Sequence, residues 1–195
     1  MAGESNMAVL SARWRRGNPR RWICAGLLAL VALGLGATLR AAVDQREVQA
    51  VFLLNLSRFI RWPDTAFESE EAPFVIGCLP SDPVASLLME AAKGELAGKR
   101  PIEVREVKTT ADLDSCHMIH LSKEDMTQAA QFVAQVRTKP VLTVSDAEAF
   151  LRLGGHVQLL RRAGQLKLRI DVGNLRRAEL NASAPLLRVA EIAGE

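Results

Sequence analysis

Pro140-Val141-Leu142-Thr143-Val144-Ser145-Asp146-Ala147-Glu148 reads as a buried strand that runs straight into a helix start. A proline closes off what precedes it, a short run of apolar and β-branched residues follows, and a serine with a glutamate three residues on has the form of a capping box. Phe150 and Leu153 sit on the short helix predicted behind it. The same joint stands one unit upstream, where Met118 to Leu121 leads into Ser122-Lys123-Glu124-Asp125 and a helix through Met126, Ala129, Ala130, Val133 and Val136. A third joint lies earlier still: the apolar run from Pro73 to Leu79 ends in Pro80-Ser81-Asp82-Pro83 and a helix through Leu87, Leu88, Met89 and Ala92. Strand, helix and strand in alternation predict parallel pairing with crossover helices, which sets Ser81, Ser122 and Ser145 along one carboxyl edge of the sheet.

Outward from these joints the pattern changes twice. On the N-terminal side, from Asp44 to Arg61, Val48, Val51, Phe52, Leu56, Phe59 and Ile60 recur at spacings of three and four, the mark of a helix with one apolar stripe. Trp62-Pro63 stops it, with Trp62 expected as an anchor under the helix end. Ile102 to Val107 alternates apolar with charged residues, as a half-exposed strand near a sheet edge does. On the C-terminal side, Gly154-Gly155 introduces His156 to Leu160, a turn at Arg161-Arg162-Ala163-Gly164, and Gln165 to Ile170, where leucine and isoleucine alternate with Gln, Lys and Arg. That is an antiparallel hairpin. Asn174 to Leu180 and Pro185 to Val189 close the chain as short elements. The fold class is therefore α/β, with a mixed, mainly parallel sheet flanked by helices and an antiparallel C-terminal hairpin.

Residues 1–42 have a different character. They hold six of the 25 basic side chains and one of the 22 acidic ones, leaving 19 against 21 in residues 43–195. The overall positive charge belongs to this leader, so no nucleic-acid partner is expected for the domain. Arg13 to Arg21 is basic and Ile23 to Leu35 is an uninterrupted apolar run, too short to span a hydrocarbon core of roughly 30 Å as a helix. Small residues follow, and the whole reads as a secretory signal peptide cut between residues 36 and 42, with an uncleaved anchor as the alternative. The expected address is an exported, oxidising compartment, with residues 43–195 as one α/β domain. Beyond the leader only Cys78 and Cys116 remain, and in an oxidising compartment such a pair either bridges or serves as two small buried hydrophobes.

Chemistry-bearing motifs are sparse. No nucleophile elbow, HExxH or CxxC occurs, and Gly94 to Arg100 has glycines one residue too close for a phosphate loop. His117 and His120, three apart on a strand, point to opposite faces and cannot share a metal ion, so neither metal nor cofactor is expected and no enzymatic activity is assigned. The serine caps carry a second reading beside the structural one: helix N-termini at the carboxyl edge favour a small polar ligand, placed by Ser81, Ser122 and Ser145.

Several segments together resemble the YfiR family of bacterial periplasmic regulators. They are Val51 to Pro63, Ile76-Gly77-Cys78, Cys116-His117, Pro140 to Asp146, Gly154-Gly155 with the strand after it, and the closing Leu186-Leu187-Arg188-Val189-Ala190, covering about residues 46 to 192 in the family's order. The resemblance implies an exported, non-enzymatic and often dimeric α/β domain. It implies as partner an inner-membrane diguanylate cyclase, repressed through its periplasmic region, whose release raises cyclic di-GMP and with it biofilm formation. Redox tuning through cysteines belongs to the same picture, and Cys78 and Cys116 match one of the family's pairs. The sequence departs from the pattern in lacking cysteine between Val141 and Gln158 and in carrying Asp171 where asparagine is usual. The family's partner-binding patch maps to Arg169, Leu175 and Arg177. The alternative function is a periplasmic small-molecule-binding or receptor-accessory protein.

Overall fold

The structure is a computed structural model and describes residues 45–193; the leader reading therefore lies outside the described residues. Helix α1 covers residues 45–59 and passes into the two-residue strand β1, Ile60–Arg61. Then come β2 (Phe74–Cys78), α2 (Ala85–Ala91), β3 (Leu96–Ala97), β4 (Arg100–Glu106), β5 (Met118–Leu121), α3 (Met126–Val136) and β6 (Leu142–Ser145). The chain closes with β7 (Val157–Arg162), β8 (Gln165–Asp171), α4 (Val172–Arg177), β9 (Asn181–Ala182), α5 (Ala184–Val189) and β10 (Glu191–Ala193).

Eight strands form one sheet in the order β10-β8-β7-β6-β5-β2-β4-β3. The run from β4 to β7 is parallel, as the alternating joints predict, while β7 and β8 pair antiparallel through a two-residue turn at Ala163 and Gly164. β10 returns parallel to β8, and β1 with β9 makes a separate two-stranded ladder. The mixed, mainly parallel α/β fold is the one the sequence predicts.

Strand alternation divides the core in two. Phe74, Ile76, Cys78, Met118, Leu142, Val144, Val157, Leu159, Leu168 and Ile170 face a layer that includes Leu53 and Leu56 of α1, Leu88 of α2, Leu175 of α4 and Leu186 of α5. Val75, Leu79, Ile119 and Leu121 face Ala129, Phe132, Val133 and Val136 of α3, together with Phe150. Each fully buried leucine or phenylalanine contributes roughly 1.5–3 kcal/mol, so both layers matter to stability. Gly155 is needed for the second: a Cβ there would meet the Phe150 ring at 2.3 Å.

Two local expectations are corrected. The buried face of α1 is Gln49, Ala50, Leu53, Leu54, Leu56 and Ser57, whereas Val48, Val51 and Phe59 are 48%, 52% and 40% exposed. The helix is apolar nearly all round from Val51 to Leu56, so its period leaves two stripes to choose between. Polar contacts decide: Gln49 reaches inward to His120, and Arg58 reaches across to Glu95 and to the Leu96 carbonyl. The second correction concerns Ser145 and Glu148, which form no capping box. The chain after β6 makes only a short 3-10 turn, Phe150–Leu153, and Ser145 Oγ instead accepts from the Ala147 N–H at 3.1 Å.

Candidate functional site

The three serines do line the carboxyl edge, but their hydroxyls turn inward. Ser81 Oγ donates to Asp125 Oδ1 at 2.5 Å, while Ser122 Oγ donates to Asp125 Oδ2 at 2.5 Å and the Ser122 N–H to the same oxygen at 3.1 Å. Ser122 and Asp125 thus make the predicted capping box ahead of α3. Ser81 caps nothing; the residue after it, Asp82, accepts from the Val84 N–H at 2.9 Å and so starts the turn into α2. Two buried carboxylates, Asp82 and Asp125, therefore occupy the place where open α/β sheets hold ligands. Their negative charge opposes an anion at this edge.

Behind Asp82 lies a network with no sequence motif. His120 Nδ1 is 2.6 Å from Asp82 Oδ2 and its Nε2 is 3.1 Å from Gln49 Nε2. With the amide nitrogen donating, Nε2 accepts and the Nδ1–H points at the carboxylate, so the imidazole ties α1 to the loop after β2. Cys78 is the register partner of His120 on the neighbouring strand. Cysteine, histidine and aspartate are the residue types of a nucleophile, base and orienting acid, yet Cys78 and His120 are 0% exposed and Asp82 6%. Burial first, then the Asp82 carboxylate, pushes the Cys78 thiol well above its ordinary range, so the thiolate needed for attack is suppressed. The cluster is a staple. Gln49 could have been found only from its place amid the apolar residues of α1, and His120 from strand alternation with Met118.

Cys78 and Cys116 are both buried free thiols. A Cβ on Gly77 would come within 3.0 Å of Cys116 Sγ, which places Cys116 over the face of β2 opposite the one that Cys78 enters. The sheet lies between them. Burial pushes the Cys116 thiol up to about 11. His117 is locked by two backbone contacts, Nδ1 accepting from the Val75 N–H at 3.0 Å and Nε2 facing the Ala66 carbonyl at 3.1 Å, and burial lowers its pKa. Among the described residues no group of three or more His, Cys, Asp or Glu side chains is placed to hold a metal ion.

Of the three patch residues, two lie at the surface. Arg177 is exposed at the end of α4 and donates to Asn174 Oδ1 at 2.6 Å, and Arg169 of β8 is half-exposed and paired with Glu191 of β10 at 3.0 Å. Leu175 is a correction: at 1% exposure it belongs to the core, because α4 turns that side toward Ile170 and its neighbours.

A cavity of about 1330 Å³ opens at the other end of the sheet, between the close of α1 and the β3–β4 hairpin. Trp62 lies in its wall as the sequence expects of an anchor, donating Nε1–H to the His117 carbonyl at 3.1 Å and meeting Phe74 edge-on at 4.8 Å between centroids. Phe67 is sandwiched between the Arg100 guanidinium, 3.8 Å from its centroid, and the His117 ring at 4.4 Å. This groove escaped sequence reading because Phe67 lies in a loop and Arg100 opens β4, with no shared spacing.

Cys78, His120, Asp82 and His117 are buried, while Arg177 and the aromatic groove beside Trp62 lie at the described surface. The described residues thus form a mixed α/β domain with a closed Cys-His-Asp cluster and an open aromatic groove. The chain belongs to the YfiR/HmsC-like family, whose model matches residues 46–191. That membership relates it to periplasmic regulatory proteins of cyclic di-GMP signalling. No individual curated protein matches it. Among the described residues no helix is long and apolar enough to cross a membrane.

Proposed function

We propose that this protein is a periplasmic regulator that restrains an inner-membrane diguanylate cyclase by docking on the cyclase's periplasmic region, and that undocking raises cyclic di-GMP. The observation that carries the reading is the family match over residues 46–191, which spans nearly all of the described domain. Two features support it. The Cys78, His120 and Asp82 cluster is sealed from substrate, and Arg169 and Arg177 offer cations to an acidic partner surface. Crosslinking in the native periplasm followed by mass identification should return a membrane-bound cyclase, and charge reversal, Arg177→Glu, should weaken the capture while circular dichroism stays native. A capture that returns only soluble proteins would count against cyclase docking. Homodimerisation, implied by the same membership, is read by sedimentation velocity.

The aromatic groove favours a second reading, a small-molecule-binding or receptor-accessory protein. Substitution of Phe67 by alanine separates the two: it should leave cyclase capture intact if docking runs through Arg169 and Arg177, and lower it if the groove takes part.

A further inference from the structure

A row of side chains crosses the C-terminal hairpin: Gln158 of β7 is the Cα partner of Arg169 on β8, which is the partner of Glu191 on β10. Strand alternation puts Leu160 and Arg162 on the same face as Gln158. With Arg152 and Glu148 from the segment after β6, and with Arg161, the residues Gln158, Leu160, Arg162 and Arg169 line a cavity of about 330 Å³, a volume within the range of small-molecule sites, and Glu191 borders it through its pairs with Arg162 and Arg169. Arg161 alternates to the other face, where its guanidinium donates to the Gln45 carbonyl at 3.0 Å.

Two properties of this cavity point to a ligand. The first is charge. Leaving aside Arg161, whose guanidinium is turned to the Gln45 carbonyl, Arg152, Arg162 and Arg169 stand against Glu148 in the lining and Glu191 beside it, one positive charge in excess. Glu191 places one oxygen 3.3 Å from Arg162 and the other 3.0 Å from Arg169, so the two guanidiniums already flank a carboxylate while retaining most of their N–H groups. The second property is an acceptor without a donor. Gln158 is 1% exposed, and its Nε2 donates to the Ala147 carbonyl at 2.8 Å, which fixes the amide orientation. Its Oε1 is left buried and unpartnered among the described residues. A buried acceptor without a donor is destabilising, and an incoming N–H or O–H recovers that loss.

We propose that this cavity binds a small monoanionic carboxylate that also carries a hydroxyl or an amine. The carboxylate takes the free donors of Arg152, Arg162 and Arg169, and the ligand's own donor reaches Gln158 Oε1. The site goes beyond the docking reading and does not depend on the identity of any partner. It adjoins the serine edge at Ser145, the Cα partner of Gln158, but neither Asp82 nor Asp125 lines it.

Isothermal titration of the purified protein with glycolate, acetate and glycolamide tests this. Glycolate has both the charge and the donor and should bind; acetate, lacking the donor, should bind about tenfold more weakly, the worth of a hydrogen bond to a buried acceptor. Glycolamide, lacking the charge, should give no measurable heat. Arg152→Ala and Arg162→Ala, both at exposed side chains, should each weaken glycolate about tenfold. Gln158→Leu should abolish the preference for glycolate over acetate, and circular dichroism checks that it folds; the two arginine variants keep the test standing if it does not. Equal binding of glycolate and acetate would refute the donor seat. Absence of binding, or binding indifferent to both arginine substitutions, would refute the site. Neither result bears on cyclase capture, and a failed capture leaves this titration unaffected.

Discussion

His156 offers the sharpest test of the packing. It is 2% exposed, and its Nδ1 accepts from the Thr143 N–H at 3.0 Å, while its own N–H donates to Thr143 Oγ1 at 3.1 Å. A proton on Nδ1 would destroy that acceptor and place a charge inside the sheet. Burial accordingly lowers the His156 pKa from 6.5 to about 4, with Asp171 opposing and Arg177 adding to the shift. Because the folded value is depressed, the unfolded chain takes up the proton first. The contribution of neutral His156 is complete above pH 6.5, is lost as pH falls, and is gone near pH 4. At about 1.4 kcal/mol per pH unit the gap amounts to about 3 kcal/mol. The informative variant is His156→Asn, whose Oδ1 can stand where Nδ1 stood, keeping the acceptor without the titration. Urea unfolding of both proteins at steps between about pH 7 and about pH 4 should show the wild type losing about 3 kcal/mol more than the variant over that range. His117 is depressed in the same direction in both proteins, so it cancels in the difference. Parallel curves for the two proteins would refute the assignment of a neutral, acceptor His156.

Removing Asp125 by Asp125→Ala strands the hydroxyls of Ser81 and Ser122 and the Ser122 N–H, and should cost about 3 kcal/mol, read as a lower melting temperature. Since Cys78 and Cys116 are separated by the sheet, a reductant should leave the melting temperature of native protein unchanged, and both thiols should react with maleimide only after denaturation. A drop on reduction would show a bridge. Gly155→Ala drives a methyl into the Phe150 ring and should destabilise by about 1–3 kcal/mol in chemical denaturation, with Phe150→Leu partly restoring the loss.

The order of the main strands and helices could be read from the chain because the joints after β2 and β5 announce themselves locally, by an apolar run followed by Asp82 in one case and by the Ser122–Asp125 capping box in the other. The hairpin was equally legible from Gly154-Gly155 and the leucine alternation in β8. Direction was not. The stripe of α1 that faces the sheet is chosen by Gln49 and Arg58, whose partners His120 and Glu95 lie far along the chain. Leu175 looks like a surface residue in a short arginine-rich segment, yet a six-residue helix docked on the sheet must bury something, and that leucine is what it has. The basic cavity was illegible for a related reason: Gln158 and Arg169 become neighbours only through the antiparallel register, which no single segment encodes.

The carboxyl edge carries a lesson for anyone wishing to build a receptor on this scaffold. Asp82 and Asp125 act there as resident occupants, held by the very hydroxyls and amides a guest would need. A grafted phosphate or sugar acid would have to evict them first, and with Asp82 would go the hold of α1 through His120. New recognition is more cheaply engineered at the opposite rim, where the groove beside Trp62 is already open and its remodelling leaves the staple untouched.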